Sequence, residues 1–524
     1  MISNQVLLEP LPMARRLGAQ GKFDQFRSVC SRIARESVGD AAVLQELGGL
    51  YGAYGFLTEA RDCYEQAGAL LPSTIGHLAN IANLARDAGE HTRAREIYTG
   101  LLEQLPDHPV VRRNFLTGLE YDPHARDFER LRHAEAWGQW ATSRAGGPYL
   151  RPVVRPLHGR PLRIGYVSAD FCQHTVGLFI KDVLKAHDPE CTRVFTYNAG
   201  LVNDWVTKEI RSASGLVDIS VLTDVEVADR IRQDGIDVLV DLSGHTGGSR
   251  LSAFVYRPAP IQISWLGYFA TTGLDCIDAV LLDQQHAPEG AEALFVEPIV
   301  HLPAGRFCYR PVPWAPNCVA PPPSERRGYV TFGSFNNTAK LNAGVLDVWA
   351  RLLTAVPRSR LVLKWRTFND AAFRDKLTLA FVNRGIDPSR IELRGPSFHA
   401  ELLEEYADID IALDPFPFTG GLTSCEALWM GVPVVTWPQG RVVSRQTLSF
   451  LHQIGLGELA ADSADDYVRI ASELAHSSDR IGRLRSNLRG KMRESPMMDV
   501  ADFTRQLEDT MIRLYHRIVA NVST

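Results

Sequence analysis

Residues 409–445 read IDIALDPFPFTGGLTSCEALWMGVPVVTWPQGRVVSR and contain a complete strand, loop, helix and strand pattern. IDIALD is an apolar run of strand length, and proline and glycine punctuate PFPFTGG after it. LTSCEALWM has helical character, Gly431 stands where a helix end favours glycine, and VPVVTW is β-branched. The segment therefore predicts one unit of a parallel α/β sheet.

The loop of this unit is a candidate ligand site. In an open α/β sheet, ligands bind at the carboxyl ends of the strands. A helix N-terminus offers unpaired N–H groups and the positive end of the helix dipole, which suits a phosphate group. The alternative interpretation is one more structural unit of the sheet with no ligand, and the rest of the chain has to decide between the two.

Composition predicts an ordinary globular protein of several domains. The chain has 524 residues, which is too long for one core, and three domains are expected. Hydrophobic residues make up 45% and charged residues 22% of the sequence. The net charge of −5 argues against nucleic acid as the main partner.

Targeting signals and cysteine spacing point to the cytoplasm. No apolar run reaches the length of a membrane span, and the N-terminal MISNQVLLEPLPMARR lacks the apolar core and cleavage site of a signal peptide. The eight cysteines include no CxxC pair, which favours reduced thiols over a disulfide framework or a zinc site. We therefore expect a cytoplasmic protein without a membrane span.

The first 120 residues or so carry a 34-residue repeat. Two units begin at Ala41 and Ile75, with large apolar residues in the first helix, small residues where the helices cross, an aromatic in the second helix and proline after it. This pattern is typical of tetratricopeptide repeats, whose concave surface binds peptides or partner proteins. The alternative is that so short an array only braces the domain beside it.

From Leu162 onward the pattern changes to alternating strands and helices. One series runs to about residue 303, and a second begins at residue 330, after the proline-rich PVPWAPNCVAPPPSERRG. We therefore predict a helical repeat domain at 1–150 and two Rossmann-like domains at 151–320 and 321–524. A cleft between two such domains is a preferred ligand site.

Four polar residues fall in or just after loops that follow predicted strands. His174 could act as a general base, and the glycines around His245 would let a ligand approach the backbone, although a loop histidine is often only solvated. Lys340 could neutralise a diphosphate as a point charge, or be an ordinary surface lysine. Glu426 could hold ribose hydroxyls, complete a T-x-x-E capping box, or do both.

One metal-like pattern is left unassigned. Asp408 and Asp410 form a D-x-D sequence, but the two residues stand at the entry to a strand. We expect no metal ion and no other cofactor.

Five ordered segments, spread over about residues 160–515, resemble the O-linked N-acetylglucosamine transferase family. They are RIGYVSADFCQHTVG, DGIDVLVDLSGHTGGSR, RPAPIQISWLGY, FGSFNNTAKLN and the stretch from LDPFPFTGG to VTWP. Tetratricopeptide repeats precede them, as in that family. The resemblance implies two Rossmann-like domains in the GT-B arrangement, and metal-independent, inverting transfer of N-acetylglucosamine from a UDP-sugar to Ser or Thr of proteins. The acceptor would be delivered along the repeats.

The resemblance also implies roles for individual residues. His174 matches the active-site histidine, Lys340 the lysine on the diphosphate, and Glu426 the acidic residue on the ribose. The remaining implied donor contacts begin with Asn337 beside the lysine. The phosphate-facing loop is formed by Gly420, Gly421, Leu422 and Thr423. The segment beside the donor sugar is formed by Leu266, Gly267 and Tyr268. We also expect His245 to contact the donor.

The sequence departs from the family pattern at three places. Leu422 stands where related chains carry a hydroxyl or histidine side chain, so that either backbone N–H groups replace the lost contact to phosphate or the donor is bound weakly. Phe269 and Ala270 replace a more usual Pro-Gly beside the sugar. The basic residue expected near the uracil is not clearly placed, with Leu402 at the expected position and His399 the nearest candidate.

The general base and the exact reaction stay open at this point. His174 is the first candidate for the base, Asp234 is a weaker one, and a phosphate oxygen of the donor is a third. Two other functions are considered: the same scaffold with another nucleotide sugar or acceptor, such as a bacterial flagellar or surface protein, and a non-catalytic repeat scaffold. The presence of both His174 and Lys340 argues against a non-catalytic repeat scaffold.

Overall fold

The computed structural model describes residues 10–72, 75–154 and 156–523. The first nine residues, on which part of the signal-peptide expectation rests, lie outside the described residues. Within these described ranges, no helix is both long and apolar enough to cross a lipid bilayer.

The N-terminal region consists of helices packed in antiparallel pairs, as the repeat predicts. The two predicted units coincide with the helix pairs Ala41–Ala53 with Leu57–Leu70 and Gly76–Asp87 with His91–Gln104. The small residues lie where the helices cross: a Cβ added to Gly48 would stand 2.6 Å from the ring of Tyr64. The helices are α1 Pro10–Ala19, α2 Phe23–Glu36, α3 Ala41–Ala53, α4 Leu57–Leu70, α5 Gly76–Asp87, α6 His91–Gln104, α7 Pro109–Tyr121 and α8 Asp127–Arg144.

The second region is a doubly wound sheet of seven parallel strands in the order β3-β2-β1-β4-β5-β6-β7. The interior strand β4 is buried at every residue, which suits a sheet covered on both faces. The strands are β1 Leu162–Ser168, β2 Thr192–Asn198, β3 Leu216–Asp218, β4 Val238–Asp241, β5 Ile261–Ser264, β6 Ala279–Leu282 and β7 Ile299–His301; the helices are α9 Thr175–Ala186, α10 Trp205–Ser214, α11 Asp224–Gln233 and α12 Leu251–Phe254.

The third region holds a five-stranded parallel sheet in the order β10-β9-β8-β11-β12. Its strands are β8 Thr331–Ser334, β9 Arg360–Lys364, β10 Ile391–Arg394, β11 Ile411–Leu413 and β12 Val434–Val435. Its helices are α13 Pro323–Arg327, α14 Ala343–Ala355, α15 Ala371–Val382, α16 His399–Glu405, α17 Leu422–Trp429, α18 Gln446–Gln453, α19 Ala464–Ala475 and α20 Ser478–Arg493. Two Rossmann-like sheets thus follow the repeats, as expected.

The last helix, α21 Val500–Ser523, returns to the first Rossmann-like domain. Glu508 accepts a hydrogen bond from Thr192 at 2.7 Å and lies 2.8 Å from the Nδ1 atom of His187. The sequence places this helix with residues 321–524. That assignment needs correction because an apolar helix face does not reveal which of two neighbouring sheets it covers.

The repeat domain contacts the second Rossmann-like domain through buried hydrogen bonds. Arg441, which is 8% exposed, donates to the carbonyl oxygens of Asp122 at 2.9 Å, Leu119 at 3.3 Å and Ala125. These carbonyls lie at and just beyond the C-terminus of α7, where a cation is favourable. The end of the repeat array is therefore held against the loops that follow the strands of the second sheet.

Replacing Arg441 by alanine should loosen this junction. Loss of charge-assisted hydrogen bonds to three buried carbonyls should lower the free energy of unfolding by about 2–3 kcal/mol. A urea unfolding curve followed by circular dichroism measures the change. Arg351→Ala is the matched control, because the half-exposed Arg351 only pairs with the exposed Asp465. Equal midpoints for the two variants would contradict the assigned role of Arg441.

Candidate active site

The carboxyl ends of the two sheets meet at one place in the molecule. Phe269, which follows β5, contacts Phe418, which follows β11, with 5.4 Å between the ring centroids. Tyr121, at the end of α7 in the repeats, stacks on the same Phe418 at 4.4 Å. The repeat domain and both Rossmann-like domains therefore each supply one ring to this junction.

Lys340 lies beside the junction and is buried. Its Nζ atom donates to Asn336 Oδ1 at 2.9 Å and to the carbonyl oxygen of Thr419 at 2.8 Å, and it lies 4.8 Å from the ring centre of Phe418. Burial lowers the pKa of Lys340 to about 8, and the more distant Asp414 opposes this shift. Within the part of the chain that the structure describes, no carboxylate forms an ion pair with this ammonium group.

The amide that supports Lys340 is Asn336, which corrects the expectation for Asn337. Asn337 instead caps the short 3₁₀ turn Thr338–Lys340, where its Oδ1 atom accepts from the N–H of Ala339 at 3.0 Å. The two asparagines are adjacent in the sequence, and only the direction of the chain after β8 decides which one faces the lysine. The sequence therefore located the support to within one residue.

The predicted phosphate loop leads directly into a helix N-terminus. Gly420 donates its N–H to Asp414 Oδ1 at 2.6 Å, and a Cβ there would stand 2.1 Å from Ser424 Oγ, so a side chain would not fit. Gly421 precedes α17, whose first residues are Leu422 and Thr423. Their N–H groups have no carbonyl ahead of them within the helix. Leu422 therefore offers a backbone donor even though its side chain is apolar.

Thr423, Glu426 and His399 gather on the other side of this loop. Thr423 donates from Oγ1 to Asn336 Oδ1 at 3.1 Å, which links the helix start to the amide beside Lys340. Glu426 is buried, and its Oε1 atom lies 2.6 Å from the Nε2 atom of His399, the first residue of α16. The structure thus brings the predicted ribose carboxylate together with His399. Leu402 instead packs against the hydrophobic core.

His174 stands at the N-terminus of α9, at the carboxyl end of β1. Its Nδ1 atom lies 3.4 Å from the backbone nitrogen of Val176 and 3.6 Å from Asp170 Oδ1, while half of the side chain is exposed. With Nδ1 engaged, Nε2 is the ring atom available to a substrate. Asp170 was not predicted. Burial raises the pKa of Asp170, and His174 opposes this rise. In the sequence, only the position of Asp170 six residues before Val176 in SADFCQHTV could have pointed to it.

A buried arginine, also missed from the sequence, holds the segment Leu266–Tyr268. Arg306 donates to the carbonyl oxygen of Leu266 at 3.2 Å and to that of Tyr268, and its guanidinium lies 4.9 Å from the ring centre of Phe269. Leu266 has a φ of 72°, a conformation that surrounding contacts must maintain. Gly267 has no room for a side chain, since a Cβ would stand 1.9 Å from the carbonyl oxygen of Leu242.

His245, which the sequence predicts to contact the donor, is buried between the repeats and the first Rossmann-like domain. Its ring is packed edge-on between Trp137 of the repeats, at 4.5 Å, and Tyr268, at 5.1 Å. Its Nε2 atom lies 2.9 Å from the carbonyl oxygen of Thr272, and burial lowers the pKa of His245 to about 4. The residue is a neutral packing element between the repeats and the first Rossmann-like domain.

Asp234 lies at the amino end of the parallel strands, whereas His174 lies at their carboxyl end. It follows α11 and precedes the amino end of β4, whereas His174 follows the carboxyl end of β1, and β1 and β4 are parallel neighbours. Its carboxylate accepts from Arg230 and from the hydroxyl of Tyr197, both at 2.9 Å. This geometry removes Asp234 from the candidates for the general base.

Comparison with known proteins agrees with the geometry. A probable UDP-N-acetylglucosamine–peptide N-acetylglucosaminyltransferase SPINDLY of Oryza sativa subsp. japonica is 36% identical over 429 residues, which cover 80% of this chain and 46% of the relative. The UDP-N-acetylglucosamine–peptide N-acetylglucosaminyltransferase of Caenorhabditis elegans is 25% identical over 69% of this chain and 41% of its own length. The chain thus spans about half the length of the curated relatives it matches.

A solved structure covers the whole chain. A mutant of Thermobaculum terrenum O-GlcNAc transferase superposes with a TM-score of 0.89 and 33% sequence identity, over 100% of both chains. The sequence profile of glycosyl transferase family 41 matches residues 144–309 and 326–507, which is more than half of the chain. By sequence and by fold, the chain belongs to glycosyl transferase family 41.

Proposed function

We propose that the protein transfers N-acetylglucosamine from a UDP-sugar to Ser or Thr hydroxyls of proteins, with inversion at the anomeric carbon. The printed names of its relatives in rice and Caenorhabditis elegans, and of the superposed Thermobaculum protein, support the donor and the peptide acceptor. The side chains at the junction of the sheets support the same reaction independently of those names.

The observation that carries the proposal is the buried charge of Lys340. An ammonium group withdrawn from water is costly unless an anion or several dipoles compensate it. Among the described residues, an amide oxygen, a carbonyl oxygen and an aromatic face contact the ammonium group, and the more distant Asp414 compensates its charge in part. A diphosphate at this position would supply the missing negative charge. The N–H groups at the start of α17 would contact the same phosphates.

These groups support a simple displacement. The bond between the anomeric carbon and the β-phosphate oxygen breaks, and its electron pair stays on the phosphate. Lys340 and the start of α17 stabilise that charge, an effect of about 3–4 kcal/mol for one well-aimed donor. The acceptor hydroxyl attacks from the opposite face. Its proton passes to the Nε2 atom of His174 in the tautomer that carries hydrogen on Nδ1, the atom that lies 3.6 Å from Asp170 Oδ1.

The repeat domain would deliver the acceptor to this point. Tyr121 at the end of α7 stacks on Phe418, which itself covers Lys340. A peptide lying along the repeats would therefore reach the cleft beside the reacting phosphate. We propose the acceptor protein as the partner of this surface.

The proposal needs neither a metal ion nor a disulfide. Lys340 and the helix N-terminus provide the positive charge that a divalent cation would otherwise bring to the diphosphate. All eight cysteines are free, which supports a reducing compartment, and we propose the cytoplasm.

Nucleotide sugars offered one at a time test the function. Purified protein is incubated with UDP-N-acetylglucosamine, or with UDP-glucose, GDP-fucose or a CMP-linked nonulosonic acid, together with a bacterial lysate, and modified proteins are identified by mass spectrometry. We expect transfer from UDP-N-acetylglucosamine and a loss of about 100-fold or more in His174→Ala. Transfer from only another sugar would reassign the donor, and no transfer with no UDP binding would reject the function.

The pH dependence of UDP affinity tests the role of Lys340. Because burial lowers its pKa to about 8, the lysine loses its proton as pH rises through 8, whereas the diphosphate stays ionised. The Kd for UDP, measured by calorimetry, should therefore be roughly tenfold higher at pH 9 than at pH 7. Lys340→Met should bind weakly with a Kd that does not change with pH.

Lys376→Met is the control for this measurement, since the exposed Lys376 forms an ion pair with Glu90. It should retain the wild-type pH profile. A wild-type Kd that stays constant from pH 7 to 9 would contradict the assigned contact.

A further inference from the structure

An exposed tryptophan in the proline-rich linker touches both Rossmann-like domains. Trp314 is 37% exposed and lies edge-on to two rings, Trp205 of the first domain at 5.0 Å and His399 of the second at 5.9 Å. Edge-to-face pairs at such distances attract each other beyond the effect of simple burial. The linker therefore carries one ring that contacts both sides of the cleft.

The linker is anchored on both sides of this tryptophan. Val312 is buried, and Arg489 donates to the carbonyl oxygens of Pro316 at 3.0 Å and Asn317 at 2.8 Å. Trp314 is thus held between two fixed points of the chain, in spite of its exposure.

On the first domain, the contact leads to the loop that carries His174. Trp205 donates from its indole Nε1 to the side-chain oxygen of Gln173 at 2.9 Å. Gln173 also donates its backbone N–H to Asp204, the residue that caps α10, at 2.6 Å. The position of Trp205 therefore fixes the residue immediately before His174.

On the second domain, the contact leads to the proposed ribose carboxylate. His399 lies between the ring of Trp314 and Glu426, whose carboxylate is 2.6 Å from its Nε2 atom. A ligand that forms hydrogen bonds to Glu426 will change the contact between Glu426 and His399. It will thereby change the position of the His399 ring, against which Trp314 packs. One unbroken series of contacts thus joins Glu426 to the His174 loop.

We propose that Trp314 is a positioning residue that couples occupancy of the donor site to the placement of His174. When the donor engages Glu426 and His399, Trp314 keeps Trp205 and Gln173 in the arrangement that directs His174 at the acceptor hydroxyl. This inference rests on the proposed function, because it needs a nucleotide at Glu426 and a proton transfer at His174.

Two simpler roles for Trp314 predict different results. If the ring only covers the linker, its removal alters stability and leaves the kinetic constants unchanged. If it only stacks on the nucleobase, its removal weakens UDP binding and spares kcat at saturating donor. The coupling role predicts the reverse, a loss in kcat with UDP affinity nearly intact.

Replacement of Trp314 by leucine and by phenylalanine separates these roles. In Trp314→Leu, kcat should fall about tenfold, because a small misplacement of a catalytic group is costly, with the Kd for UDP within about twofold of wild type. Trp314→Phe keeps an aromatic edge and should recover most of the activity. Tyr149→Leu is the control and should behave as wild type, because the exposed Tyr149 packs on Tyr256 of the first domain and donates its hydroxyl to the carbonyl oxygen of Ala145.

A double-mutant cycle with Gln173→Ala tests the proposed series of contacts. If both residues act through Trp205, the two losses in kcat should not add, and the double variant should be close to Trp314→Leu alone. Additive losses, an unchanged kcat in Trp314→Leu, or a change confined to the Kd for UDP would each overturn the proposal. The wild-type protein is measured first: if it neither binds UDP nor transfers sugar, it is the proposed function that fails.

Discussion

The buried ammonium group of Lys340 is the constraint on which the site depends. It is held by an amide, a backbone carbonyl and an aromatic ring, without a carboxylate ion pair among the described residues. Such an arrangement leaves net positive charge in a place of low polarity, where it interacts strongly with an anion. The loop from Thr419 to Gly421 and the start of α17 surround the same place, which is where the proposed diphosphate would bind.

The three regions of the chain meet around that charge. Phe418 covers Lys340, Tyr121 of the repeats stacks on Phe418, and Phe269 of the first Rossmann-like domain contacts its edge. Arg441 holds the last repeat helices in this position. Because each region contributes one surface, the geometry of the cleft depends on how the regions dock as well as on each fold.

Patterns of local origin were predictable from the sequence, and pairings between distant segments were not. The 34-residue period gave the repeat helices, and the strand–loop–helix pattern led to Lys340. Asn336, Asp170 and Arg306 were missed because their roles depend on which way a loop turns or on burial beneath another segment. For the same reason His245 and Asp234 were expected at the site. The glycine-rich loop around His245 does not show which domain interface it faces, and the turn at Asp234 does not show at which end of the strands it lies.

A crystal structure of the complex with UDP tests the central claim most directly. The account predicts an oxygen of the β-phosphate within about 3 Å of the Nζ atom of Lys340. It also predicts phosphate contacts to the N–H groups of Leu422 and Thr423, and ribose hydroxyls on Glu426. UDP bound elsewhere, for example in the cavity of about 280 Å³ that Trp140 and Arg144 line between the repeats and the first Rossmann-like domain, would contradict it.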